Sequence, residues 1–316
     1  METPKTLQEA VLFFSDKQNC LRYMVARRWP NGVTCPTCGR DDVKFLERQG
    51  KWQCKSVHPR RQFSMKTGTI FEDSPLGLDK WMMAVWMITN CKNGVSSYEI
   101  HRAIKVTQKT AWFMLHRIRL AMQSGSFLTK LSGHVEVDET FIGGKARNMH
   151  QSVRERRIKG TGGSGKVAVM GLLQRHGEVR TMVVSNVKRR RLHGEIEKHV
   201  EAGSTVYSDG FRSYEKLAED YMHKVIDHAE KYVEGNIHTN GIENFWSLLK
   251  RTLGGTYVSV EPFHLFRYLD EQSLRFNNRK GTDSERFLAV TEQVTGKRLT
   301  YKELTGKLPN DDKLSC

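Results

Sequence analysis

HVEVDETFIGG, residues 134–144, sets Val135 and Val137 in alternation with polar neighbours and brings Asp138 to the end of a β-prone run. Working outward, STVYSDG (204–210) is a second short β run that closes on Asp209, and HTNGIENFWSLLK (238–250) opens an amphipathic helical pattern carrying Glu243. Taken singly, each acid has a plain structural reading. Asp209 precedes Gly210 and suits a turn. Glu243 stands three after Asn240, as in a capping box. Asp138 has Glu139 beside it, so one of the pair can be merely solvated. The order is more informative: strand-end Asp, a long excursion, a second strand-end Asp, then a helix-borne Glu with Lys250 two turns further along the same face. Three carboxylates gathered by a fold can hold two divalent cations, one activating an attacking hydroxyl and the other stabilising a leaving oxygen in phosphoryl transfer.

Further β runs occur at KVAVMGLLQ, VRTMVVSN and HKVIDH, with a helical pattern at LHGEIEKHVEAG, so the middle of the chain reads as a mixed α/β domain. The balance of 51 Lys and Arg against 35 Asp and Glu, net +16 over 316 residues, calls for a polyanionic partner, DNA or RNA before a membrane surface. No apolar run approaches the roughly 20 residues of a spanning helix. METPKTLQEA lacks the features of a secretion signal, so a cytosolic protein is expected. Six Cys in such a chain suggest thiols or a metal site, not a disulfide framework. Cys20, Cys91 and Cys316 stand apart and are expected to be buried or inert.

The other three form a module. Cys35-Pro-Thr-Cys38-Gly39 is a knuckle that aims two sulfurs at one centre, Cys54 follows, and His58 is the nearest fourth ligand for a structural zinc. A single helical lead-in is expected from Thr6 to about Arg28, and LDKWMMAVWMITN reads as a buried helix. GVSSYEIHRAIKVTQKTAWFMLHRIR reads as a helix-turn-helix: the first helix starts at Ser96 or Ser97, and the break falls near Val106-Thr107. Tyr98, Ile100, Ile104, Trp112, Leu115 and Ile118 face inward, while Gln108, Lys109 and Thr110 stand at the end that meets base edges. GTGGSGK (160–166) spells most of a phosphate-binding loop. However, Val167 replaces the Mg2+-binding hydroxyl, and the run opens a strand rather than a helix. With Arg154, Arg156, Arg157 and Lys159 before it, the segment reads as a basic loop that touches phosphates.

VDETFIGGK, YSDGFRSY and HTNGIENFWSLLKR resemble the signature blocks of IS1595-type, or ISXO2-like, DDE transposases. CPTCG, WQC and QFSMKTGTIFEDS are similar to the zinc ribbon that accompanies them, and FNNRK (276–280) to a downstream block. The resemblance implies an RNase H-like fold with Asp138 and Asp209 on adjacent strands and Glu243 on a following helix. It also implies two Mg2+ ions, with Mn2+ able to substitute, and strand transfer of an insertion sequence. Related ribbons often carry Cys where this chain has Val57-His58, and some relatives have Asn for the third acid. Asn240 is therefore a neighbour of interest, but a carboxylate binds Mg2+ better than an amide, which keeps Glu243.

The expected division is a lead-in and zinc ribbon (1–78), a helix-turn-helix region (79–130), an RNase H-like catalytic domain (131–280) and a C-terminal appendage (281–316). The expected protein binds its element's inverted repeats as a homodimer or higher oligomer on double-stranded DNA in the nucleoid. Lys250, Arg251 and the basic loop hold the backbone, and His238 is either a proton carrier or a structural residue. The rival readings are a structure-specific nuclease on the same fold and a non-catalytic zinc-ribbon regulator.

Overall fold

A computed structural model describes residues 2–123, 129–144, 149–158, 163–209, 211–215, 217, 221–226 and 238–307, without the side chains of Val153, Arg157 and Ile226. Cys316, Lys159 and the start of the Gly-rich run lie outside the described residues. The helices are α1 (Leu7–Ser15), α2 (Lys17–Arg28), α3 (Leu78–Asn90), α4 (Ser97–Ile104), α5 (Gln108–Ala121), α6 (Gln151–Arg157), α7 (Arg189–His199), α8 (Asn240–Thr252), α9 (Leu265–Asn277), α10 (Asp283–Thr291) and α11 (Tyr301–Leu304). The strands are β1 (Val43–Leu46), β2 (Lys51–Cys54), β3 (Gln62–Phe63), β4 (His134–Ile142), β5 (Val167–Gln174), β6 (Val179–Val184), β7 (Thr205–Asp209) and β8 (Met222–Ile226). The chain divides into two compact units, residues 1–122 with 280–316, and residues 123–279.

In the first unit the lead-in is two helices, because Asp16 ends α1 and caps α2 through a 2.7 Å bond from the Gln18 amide to its carboxylate. The three-stranded antiparallel sheet β1-β2-β3 carries the cysteine module. Helix α3 buries Trp81, Met82, Val85, Trp86 and Ile88, as its apolar stripe requires. Helix α4 starts in a capping box between Ser96 and Glu99, Lys105 turns the chain in the left-handed region, and Thr107 caps α5. Ile100, Leu115 and Ile118 are buried, but Tyr98 is 62% exposed: its neighbour Ile100 takes the core side of this short helix.

Residues 281–316, set apart above as an appendage, supply α10 to the core of this unit. Phe287 packs on Phe14, Tyr23 and Trp86, and the Ile70 amide donates to the Val294 carbonyl. Burial of Phe287 outweighs the polar character of the surrounding sequence.

The second unit is a five-stranded mixed sheet in the order β6-β5-β4-β7-β8. The pairs β4·β5 and β5·β6 are antiparallel, whereas β4·β7 and β7·β8 are parallel. Val135, Val137, Met170, Leu172 and Val206 face Leu192 and Ile196 of α7, while Val169 and Leu173 face Ile242, Phe245, Trp246 and Leu249 of α8. Covering both faces explains why β5 reads as a continuous apolar run. Lys166 leads directly into β5, so the Gly-Lys sequence opens a strand as expected. The preceding basic stretch differs from expectation: residues 151–157 are helical, supported by strong helix formers and a 2.9 Å bond from the Gln151 amide to Glu155. Among the described residues no helix is long and apolar enough to cross a membrane.

Candidate functional site

The module at Cys35, Cys38, Cys54 and His58 places one ligand atom from each residue within 4.8 Å of all the others. The knuckle closes by the Gly39 amide donating to the Cys35 carbonyl at 2.8 Å, with Gly39 at φ +74. Cys54 ends β2, and His58 follows in the loop to β3. Cys38 Sγ lies 3.7 Å from Cys54 Sγ, and Cys35 Sγ lies 3.5 Å from His58 Nε2. With Zn–S of about 2.3 Å and Zn–N of about 2.0 Å, a zinc tetrahedron has S···S edges of about 3.8 Å and S···N edges of about 3.5 Å, so the quartet fits zinc. His58 Nδ1 lies 2.7 Å from the Pro59 carbonyl, which fixes the tautomer that leaves Nε2 free for a metal. The Cys54 thiol is lowered to about 6: its burial opposes ionisation, but hydrogen bonds from His58 and the Ser56 amide outweigh it. Of the separate cysteines, Cys20 is buried and held up at about 12 mainly by that burial, whereas Cys91 is exposed.

In the second unit β4 and β7 run parallel with Glu136 opposite Tyr207. Two residues further along each strand, Asp138 and Asp209 therefore lie on one face of the sheet, the face covered by α8. The Asp138 carboxyl is pushed up to about 7 by burial first, then by the charges of Glu139 and Asp209. Its Oδ1 accepts from the Glu139 amide at 2.8 Å and its Oδ2 from Trp246 Nε1 at 2.9 Å. Glu139 points to the opposite face, where Tyr214 Oη donates to it at 2.6 Å. The two neighbouring acids thus have different tasks. Asp209 also closes its own turn by accepting from the Phe211 amide at 3.2 Å.

Glu243 is exposed on the first turns of α8, one turn before Trp246. The N-cap is Thr239, not Asn240, and Glu243 accepts from the Thr239 hydroxyl at 2.8 Å, so the capping box read from Asn240 is not what the helix uses. Asp138, Asp209 and Glu243 do not close into a group as tight as the cysteine quartet.

Lys250 and Arg251 are exposed near the end of α8, as are Arg154 and Arg156 on α6. Arg157 belongs to α6, its side chain lying outside the described residues. At the start of α5, Gln108 Nε2 donates to Ser97 Oγ at 2.8 Å, Lys109 lies over the Tyr301 ring at 4.9 Å, and Thr110 shares a 2.8 Å bond with the Thr107 hydroxyl.

Glu136, Arg175 and Trp246 are the side chains at this site that the sequence reading does not single out. Glu136, 1% exposed, pairs with Arg175 Nε at 2.9 Å and accepts from the Ile242 amide at 2.9 Å. His238 Nδ1 sits 3.4 Å from the same carboxylate, which favours the structural role for this histidine. Trp246, largely buried on α8, turns its Nε1 to Asp138. An acid flanked by two valines in a strand covered on both sides was the available signal for Glu136, since burying a charge demands a partner.

Residues 130–277 match the family described as the ISXO2-like transposase domain, and residues 15–56 match the transposase zinc-ribbon domain. The "Uncharacterized protein in transposable element ISH50" of Halobacterium salinarum is 31% identical over 275 residues, covering 83% of this chain and 91% of the relative. An "Uncharacterized transposase-like protein" of Haemophilus influenzae is 38% identical over 102 residues, covering 32% of this chain and 82% of the relative. With both domains in order and the first relative aligned over nearly its whole length, the chain belongs to the ISXO2-like, or IS1595, transposase family.

Proposed function

We propose that this transposase binds the ends of its own element and cuts and joins DNA in an RNase H-like unit, with Asp138, Asp209 and Glu243 holding two Mg2+ ions. The observation that carries the reading is the pairing of Asp138 and Asp209 on adjoining parallel strands beneath the helix that bears Glu243. Support for a cation comes from Asp138 itself, whose carboxyl is raised to about 7 by burial and two neighbouring acids. An all-oxygen donor set with excess negative charge suits Mg2+, and Mn2+ in its place. Bound there, the ions would supply activation of the attacking hydroxyl and stabilisation of the leaving oxygen.

The protein's own groups do the rest. Trp246 holds one Asp138 oxygen and so orients the carboxylate. Lys250 and Arg251, on the exposed side of α8, hold the DNA backbone, and Arg154, Arg156 and Arg157 of α6 add phosphate contacts. Helices α4 and α5 act as the helix-turn-helix, with Lys109 and Thr110 reading bases. Gln108 braces the two helices through Ser97 and keeps its second N–H and its carbonyl for DNA. Zinc at the Cys35, Cys38, Cys54 and His58 site is structural, because four protein ligands leave no open position. Two element ends need at least two protomers on the DNA, and the protein works at the nucleoid.

The test is a strand-transfer assay with Mg2+ and oligonucleotides matching the sequences that flank the gene. Joined products are expected from the native protein and none from Asp209→Asn. Cutting without joining would replace the reading with a nuclease, and an active Asp209→Asn protein would remove the assigned site.

A further inference from the structure

The geometry points to Glu136 and Arg175 as positioning residues, a clamp that sets the start of α8 and thereby Glu243 against Asp138 and Asp209. This rests on the reading of Glu243 as a metal ligand. Glu136 stands two residues before Asp138 on β4, on the same face, so a rigid strand fixes the spacing between them. Its two oxygens are both engaged: Oε1 with Arg175 Nε at 2.9 Å, and Oε2 with the Ile242 amide in the first turn of α8 at 2.9 Å. Arg175 also donates through Nη2 to the His238 carbonyl at 2.5 Å, and its guanidinium lies 4.0 Å from the centre of the Tyr207 ring. One ion pair therefore grips the chain on both sides of the helix start.

One turn on, Trp246 Nε1 donates to Asp138 Oδ2 at 2.9 Å. Glu243 follows Ile242, the residue tied to Glu136, and precedes Trp246, the residue tied to Asp138. The helix is thus pinned on either side of the carboxylate that must meet the metal. Close approach is built in as well. A Cβ on Gly241 would stand 2.7 Å from Glu136 Oε2, and one on Gly171 would stand 2.6 Å from the Trp246 ring. Apolar packing alone would hold α8 on the sheet without fixing its rotation or its slide. Directional bonds to a buried carboxylate fix both, and a buried ion pair is otherwise a poor source of stability.

The test uses full-length Arg175→Lys and Glu136→Asp, which keep the net charge of the site and change only reach. Readouts are Mn2+ affinity by EPR titration of the protein without DNA, hydrogen exchange at the Ile242 and Glu243 amides, and binding to a flanking-end duplex without metal. The expected result is a folded protein with unchanged duplex binding, faster exchange at those amides and Mn2+ affinity lower by about 10-fold or more. Native Mn2+ affinity in both variants would overturn the proposal, whatever their stability. Should one variant fail to fold, the other decides. Glu243→Gln serves as the control: if it binds Mn2+ like the native protein, the metal-ligand reading falls, and slower or unchanged amide exchange in Arg175→Lys would separately overturn the clamp. If Glu243→Gln loses Mn2+ while Arg175→Lys keeps it, the reading stands and the clamp falls.

Discussion

The cost of leaving Asp138 charged without a cation can be measured through the pH dependence of stability. Its carboxyl is raised from 3.8 to about 7, mainly by burial and then by Glu139 and Asp209. A folded-state value above the unfolded one means that the folded protein holds this proton more tightly. The associated stability is complete below the unfolded value and is lost as pH rises through about 7. Between about pH 5 and about pH 8 the loss amounts to roughly two pKa units, or about 2–3 kcal/mol.

Asp138→Asn cannot ionise and should lack this slope. It carries a separate penalty, because its amide NH2 must face either the Glu139 amide or Trp246 Nε1, both donors, at about 1–3 kcal/mol. That penalty does not change with pH and drops out when the two profiles are compared. Native-state hydrogen exchange at β4 and α8 amides, in metal-free buffer without chelator so that zinc is retained, reads the stability of this unit alone. The native protein should weaken relative to the variant by about 2–3 kcal/mol across that range, and Mg2+ added at about pH 8 should restore the native protein and leave the variant unmoved. Parallel profiles for the two proteins would refute the reasoning.

Cys54→Ser should lose the zinc ion in metal analysis, whereas His58→Cys should retain it and show four sulfurs in place of three sulfurs and a nitrogen by X-ray absorption; zinc retained by Cys54→Ser would remove the module. Gly171→Ala forces a methyl to within 2.6 Å of the Trp246 ring, and urea unfolding should show a loss of about 1–3 kcal/mol together with weaker Mn2+ binding. Arg154→Gln with Arg156→Gln should weaken specific and scrambled duplexes alike and flatten the salt slope by about 0.9 per lost phosphate contact. Lys109→Ala with Thr110→Ala should instead reduce discrimination by about 1–3 kcal/mol per lost base contact, and full discrimination in that variant would move base reading elsewhere, the ribbon first.

What sequence could resolve at this site followed from periodicity and punctuation. Short β-prone runs in HVEVDETFI and TVYSD placed two strands, and the helix start at Ser96 or Ser97 with a break near Val106-Thr107 placed two helices, because each signal is local and chemical. That the strands of Asp138 and Asp209 are adjacent was implied only by family resemblance, and their parallel pairing is seen only in the fold, since nothing local declares which strands become neighbours. The Glu136–Arg175 pair was invisible for the same reason: its partners are 39 residues apart, and the Ile242 amide is 106 away. Tyr98 was misplaced because an eight-residue helix offers several apolar faces of similar merit, and only packing chooses among them. Phe287 in a polar tail gave no periodic signal strong enough to announce that it completes a core formed mainly by the N-terminal helices.

That last contact constrains how the protein is made. Phe14, Tyr23 and Trp86 emerge early in translation, yet the ring that packs against all three belongs to α10, encoded after the whole of the second unit. The sheet of residues 123–279 can fold while synthesis continues, but the unit that holds the cysteine quartet lacks α10 until Asp283–Thr291 has been made. A ribosome that stops short of Phe287 releases a chain whose first unit lacks a part of its core.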